Sequence, residues 1–237
     1  MKRKWLAGLL LILALCLTIA GARWLIVSRH TGQNWNTPLA GRVVVVDAGH
    51  GGIDGGAVGG NTVEKEITLQ IARDLRDYLQ EIGAVVIMTR DKDDDLADED
   101  FTGRHKTQDL LRRAAIIKSN HPDAFISIHL NAIPNERWRG AQTFYYPNSG
   151  KNERLALLIQ DSLKQNLGNT DRRAKAISHV YLLKKSVPPA ALVEVGFLSN
   201  PAERGLLVRK DYQRSAAASI SQGIMRYFSK EKIEQRP

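Results

Sequence analysis

The sequence predicts an α/β fold: a single domain with a largely parallel central sheet flanked by helices on both faces, preceded by an N-terminal apolar signal or anchor helix. Three observations predict it. Short apolar, β-branched runs alternate with longer stretches whose apolar residues recur every three or four positions, the pattern of strands joined by crossover helices. The chain has 237 residues, 43% hydrophobic and 25% charged, enough for one ordinary core without disulfides. The conspicuous polar residues fall at strand ends, where ligands gather in such folds.

Taken in order, Lys2, Arg3 and Lys4 precede an uncharged apolar run over residues 5–22, the layout of an export signal. Ala20-Gly21-Ala22 fits a cleavage site, whereas residues 24–27 prolong the apolar span toward the length of an uncleaved membrane anchor. Residues 1–29 are therefore read as signal peptide or anchor. Either reading places the body of the protein outside the cytoplasm. The net charge of +9 falls to +4 once the five cations of residues 1–30 are set aside. No basic run with interleaved aromatics remains, so nucleic acid is not an expected partner. Cys16, the only cysteine, lies in the apolar run, which excludes disulfide and thiolate chemistry from the exported body.

Residues 30–40 form a polar linker. A strand is expected at 43–46, ending in a glycine-rich turn. A helix follows over 64–82, with Ile67, Ile71, Leu75, Leu79 and Ile82 on one face and Gly83 as its stop. Further strands are expected at 85–88, 124–130, 141–146 and 190–195, with a short one at 180–183. Further helices are expected at 108–119, 152–167 and 211–228, and an exposed charged loop at 91–107. The domain thus runs over 41–229, with a polar tail at 230–237.

Four pieces carry candidate chemistry. His50 sits in the turn after the first strand; alone, a loop histidine is usually just solvated, and no Walker phosphate-loop pattern follows. Glu64 opens the next helix, and Asn61 three residues before it offers the ordinary alternative of a capping box. Ser127, His129 and Asn131 alternate along one strand and so share a face, in a setting where a central parallel strand is normally apolar. Glu194 is a carboxylate inside an apolar strand, and burying it unpaired costs several kcal/mol, roughly. It needs a cation, a metal or a catalytic purpose, with Arg90 or Arg113 as the structural alternative. Two histidines and a carboxylate can hold Zn2+ while a further glutamate serves as base, but the residues lie far apart and no local motif joins them.

Four blocks, VVDAGHGGIDGGAVGG, VEKEITLQIA, FISIHLNA and ALVEVGFLSN, occur in order. Together they resemble the zinc-dependent N-acetylmuramoyl-L-alanine amidases of the amidase type 3 family. The resemblance implies Zn2+ held by His50, Glu64 and His129, and Glu194 as catalytic residue. Asp54, Ser127 and Asn131 are candidates for orienting ligands or substrate. Ala48 departs from the proline usual in the family. Trp35-Asn36, Leu96-Ala97-Asp98 and the runs GAQTFYY and YLLKKSVPPAALVEVGFLSNPAE are similar to CwlD-type amidases of the spore cortex. The implied substrate is peptidoglycan, cut between N-acetylmuramic acid and L-alanine on the route to muramic δ-lactam, in the forespore intermembrane space. The membrane is an expected partner if the N-terminal segment is uncleaved, and an activating protein, of identity unknown from the sequence, is left open. Rival readings are an inactive wall-binding homologue and a zinc carboxypeptidase acting within the stem peptide.

Overall fold

Six strands form one mixed sheet in the computed structural model, which describes residues 17, 18, 21, 37–99 and 104–231. The predicted signal or anchor helix lies almost wholly outside these residues, as does most of the linker. No described helix is long and apolar enough to cross a membrane. Residues 37–237 make one compact unit, and its described part holds the whole sheet.

In chain order the elements are β1 (Val43–Ala48), β2 (Val58–Gly59), β3 (Thr62–Val63), α1 (Glu64–Glu81), β4 (Val85–Met88), α2 (His105–Ser119), β5 (Ala124–Asn131) and β6 (Gln142–Tyr145). They continue with α3 (Gly150–Leu167), β7 (Lys175–Ala176), α4 (Tyr181–Lys185), β8 (Ala190–Phe197), α5 (Pro201–Leu207) and α6 (Lys210–Phe228). The sheet order is β4-β1-β5-β8-β6-β7. All neighbours are parallel except β6 and β8, which run antiparallel. The sheet is thus largely parallel, as the sequence predicts, and is mixed by one antiparallel pair. The short connection between β5 and β6 carries no helix, and without a crossover the chain returns the opposite way.

Alternation along the strands builds two cores. Val44, Val46, Ile126, Ile128, Ala191 and Val193 face one side, with Ile71 and Leu75 of α1, Leu155 and Ile159 of α3 and Ile220 and Ile224 of α6. Gly223 permits the close crossing of α3 and α6: a Cβ there would stand 2.5 Å from Ile159 Cα. Val45, Phe125 and Leu192 face the other side, with Ile117 of α2 and Leu182 and Leu183 of α4. On this second face the strands change character toward their carboxyl ends. Asp47, Ser127, His129 and Glu194 succeed the apolar residues two positions at a time.

The strand expected at 180–183 is instead the short helix α4. Lys184 N bonds to Val180 O and Ser186 N to Leu182 O, and a four-residue apolar run has no period that separates the two outcomes. Helix α2 begins at His105, inside the expected loop. Three elements went unpredicted: the β2–β3 hairpin, β7 and α5. The sequence did carry a signal for α5. Asn200 caps it by accepting from Glu203 N at 2.9 Å, with Pro201 in its first turn, an asparagine-proline helix start.

Candidate metal centre

Parallel β1, β5 and β8 end on one edge of the sheet, and α1 begins there. His50 follows β1 in a turn where it adopts φ 62°, an unusual left-handed conformation for a residue with a side chain. His129 lies near the end of β5. Glu64, the first residue of α1, is 2% exposed. Its Oε2 is 3.2 Å from His50 Nε2 and its Oε1 is 3.0 Å from His129 Nδ1. The two imidazole rings meet edge to face with centroids 5.0 Å apart. One donor atom from each of the three residues lies within 4.8 Å of the others. The helix-capping alternative for Glu64 does not hold, since Val63 is the N-cap residue of α1 and no side chain caps that end. Instead Ala57 N donates to Glu64 Oε2 at 2.7 Å and Leu130 N to Oε1 at 2.8 Å.

The environment favours charge at this point. Burial alone raises the Glu64 pKa, but hydrogen bonds from His129 and His50 outweigh it and hold the carboxyl well below the usual range. Burial pulls His129 down, and contact with Glu64 and the nearby Glu194 push it above its ordinary value. Asp54 Oδ2 is 2.9 Å from His50 Nδ1, a carboxylate behind an imidazole that fixes its orientation. Lys106 Nζ lies 3.2 Å from the same oxygen.

Glu194 is paired with His129 across β5 and β8. Its Oε2 is enclosed and finds no hydrogen-bond partner among the described residues. Burial pushes its carboxyl up to about 7, partly offset by His129. Neither arginine considered as its structural partner serves it. Arg113 is spent on Asp47 at 2.8 Å and Asp109 at 2.8 Å. Arg90 donates to the carbonyls of Ala48, Gly49, Lys65 and Lys92.

Those two arginines form a support that the sequence pattern did not reveal. Arg113 Nη1 also donates to Ala48 O and Nη2 to His50 O at 2.7 Å, so both guanidinium groups grip the turn that carries His50. Ser127 donates to Asp47 Oδ2 at 2.5 Å and belongs to this network, not to the histidine pair. Asp47 offered a signal, being a carboxylate at the end of a valine strand just as Glu194 is. Asn131 keeps the alternation of β5, half-buried after the buried Leu130, while the register shift beside it places an extra residue on β8. No side-chain hydrogen bond joins Asn131 to the cluster.

Two imidazoles and a carboxylate are a donor set suited to a divalent metal, and the surrounding backbone is cut to fit them. A Cβ at Gly49 would collide with the His129 ring, and one at Gly56 would stand 2.6 Å from both Glu64 Oε2 and His50 Cδ2. The site can coordinate a metal ion beside an unpaired carboxylate.

Comparison with known proteins agrees with this geometry. Residues 44–226 match the family model described as N-acetylmuramoyl-L-alanine amidase. A germination-specific N-acetylmuramoyl-L-alanine amidase of Bacillus subtilis is 48% identical over 230 residues, covering 96% of each chain. The N-acetylmuramoyl-L-alanine amidase LytC of the same organism is 32% identical over 85% of this chain and 38% of its own. The CwlD amidase of Clostridioides difficile, solved in complex with the GerS lipoprotein, superimposes with a TM-score of 0.78 at 38% identity. That match covers 80% of this chain and all of the other. The protein belongs to the N-acetylmuramoyl-L-alanine amidase family.

Proposed function

We propose that residues 41–229 form an exported, zinc-dependent amidase that cleaves peptidoglycan between N-acetylmuramic acid and L-alanine. The observation that carries the reading is the convergence of His50, Glu64 and His129 beside an unpaired Glu194, in a chain of this family. His50, Glu64 and His129 would hold the ion. When bound, Zn2+ supplies Lewis-acid polarisation of the scissile carbonyl and acidifies water in the site.

Glu194 is the general base: it takes the proton of the attacking water and returns it to the leaving amine of L-alanine. Its burial, which raises the carboxyl of the metal-free chain, favours a group that takes up a proton and then gives it back. Asp54 keeps the His50 ring oriented from behind. Asp47, Ser127, Arg113 and Arg90 hold the turn on which His50 stands. The likeness to germination-specific and CwlD amidases supports action on spore cortex, on the route to muramic δ-lactam, with delivery by the N-terminal segment.

Mass spectrometry of purified peptidoglycan after incubation with the protein tests the bond. Free L-alanyl peptides and peptide-free muramic acid residues are expected, with glycan strands intact. New reducing sugar ends would indicate a glycosidase, and shortened stem peptides alone would indicate a carboxypeptidase; either refutes the assignment. In a spore-forming host, deletion of the gene is expected to leave cortex without muramic δ-lactam.

A further inference from the structure

A cleft of about 690 Å³ opens beside β6, between residues 137–139, residues 168–172 and the start of α5. Arg137, Arg139, Arg172 and Trp138 line it, the indole 48% exposed. None of the three guanidinium groups forms an ion pair among the described residues. Two carboxylates share the cleft. Glu203 is 4% exposed, and its oxygens accept from Gly140 N and Phe197 N, each at 2.8 Å, which makes it a brace of the floor. Asp171 is exposed at the rim.

Arg172 is fixed in place. Its Nε donates to Arg139 O at 2.8 Å and its Nη1 to Gln142 Oε1 at 3.0 Å. Its guanidinium carbon lies 4.8 Å from the Phe197 ring centroid and 5.1 Å from that of Trp138. Nη2 makes no hydrogen bond among the described residues. Ordering a long cationic side chain costs rotamer entropy, and the only charge the cleft supplies to offset that cost is the field of Glu203, whose oxygens are taken up by Gly140 N and Phe197 N. Nearby, the enclosed Oδ1 of Asn169 also lacks a donor among the described residues.

The cleft adjoins the candidate metal centre through Gln142. Gln142 and Glu194 are paired across the antiparallel β6–β8 ladder, so their side chains project to the same face. Arg172 is bonded to the Gln142 side chain, so Gln142 links the guanidinium to the strand position opposite the proposed base. Directly opposed residues of an antiparallel ladder stand about 5 Å apart and an extended peptide advances about 3.5 Å per residue, so a step of one or two residues is on the scale of the step from Glu194 to Gln142.

We propose that Arg172, flanked by Arg139 and Trp138, is a subsite for a carboxylate on the peptide portion of the substrate, one or two residues from the scissile amide. The proposal deepens the amidase reading and rests on it. The open Nη2 and the second hydrogen of Nη1 present a fork that a carboxylate accepts bidentately. The stacked rings hold that fork flat, and the exposed indole offers apolar cover to the neighbouring peptide.

The test uses two muramoyl peptides that differ only at the second residue, one with a free α-carboxylate and one with a carboxamide. For the full chain, kcat/KM is expected to favour the acid by about tenfold or more, the range of a charge-assisted pair. Arg172→Gln should bring that ratio to about one, mostly through KM for the acid, and Arg172→Lys should retain part of it. Circular dichroism of each variant reports whether it is folded. If the wild-type chain cleaves both peptides equally well, or if a folded Arg172→Gln keeps the full preference, the subsite is overturned. Calorimetric titration of both peptides into the Glu194→Gln chain separates the two readings. An acid preference there that Arg172→Gln removes supports the subsite even if the wild-type chain cleaves neither peptide, an outcome that would sink the amidase reading alone. Equal affinities there overturn the subsite.

Discussion

Replacing Glu194 by glutamine isolates the carboxylate on which the proposed chemistry depends. The amide is nearly isosteric, so the packing of β8 between β5 and β6 should survive. Turnover should fall by about 10²–10⁴-fold, the usual contribution of a positioned general base, while bound metal remains at wild-type stoichiometry because His50, Glu64 and His129 are untouched. The structure adds a second, opposite consequence. In the metal-free protein burial pushes the Glu194 carboxyl from an ordinary value of 4.5 up to about 7. Below pH 4.5 the folded and unfolded chains both hold the proton, and the site costs nothing extra. As pH rises, the unfolded chain ionises first while the folded carboxyl keeps its proton, so stability declines until pH passes about 7. At about 1.4 kcal/mol per pH unit across that interval, the loss is bounded near ~3 kcal/mol. Glutamine does not titrate. Urea unfolding of chelator-treated protein at pH 4.5 and pH 8 should therefore show the variant gaining on the wild type by up to that amount at the higher pH. The comparison cancels the titrating groups that do not face Glu194; His129, which Glu194 pushes up, shifts with it. Near-normal turnover, or an identical pH dependence in both proteins, would sink the reasoning.

Other outcomes rest on named contacts. His129→Ala should lose most of its bound metal by elemental analysis while keeping its fold; wild-type stoichiometry would remove His129 from the site. Gly49→Ala should do the same without touching a donor atom, because the added methyl occupies the position of the His129 ring. Asp47 is held below the ordinary carboxylate range because Arg113, His129 and Ser127 outweigh the effect of its burial. Its stabilisation is thus present above about pH 4 and is lost as pH falls through the depressed value. Asp47→Asn should leave the Arg113 charge poorly compensated, destabilise by about 3–5 kcal/mol and flatten the acid limb of stability in a pH-dependent denaturation series. Gly223→Ala should cost roughly 1–3 kcal/mol by forcing α3 and α6 apart, read as a lowered melting temperature with no change in metal content.

The alternation of apolar runs with three-to-four spacing determined the class of fold by itself, because both periods are imposed by backbone geometry alone. The valine run of β1, the Ile67–Ile71–Leu75–Leu79 stripe of α1 and the strand bearing Glu194 all stand where local pattern placed them. Short elements were not legible. Residues 181–185 form a helix because Leu182 and Leu183 pack on the second core, a tertiary preference that four apolar letters do not encode. The direction of β6 was also hidden, since strand orientation depends on how the chain returns and not on the residues within it.

The same division holds at the site. The four blocks identified His50, Glu64, His129 and Glu194, but each alone had a plain alternative. Only the tertiary structure brought Glu64 against both histidines and away from its own helix cap. Only it assigned Arg113 and Arg90 to the His50 turn, leaving Glu194 without a cation. The physical reason is that spacing along the chain records which residues share a strand or helix face, whereas the cost of an unpaired buried charge depends on which groups converge from separate elements. Asp47, a carboxylate with a buried arginine, and Glu194, a carboxylate with none, look alike in sequence; the sheet edge on which β1, β5 and β8 end decides that one is a strut and the other is left unpaired beside the metal-binding group.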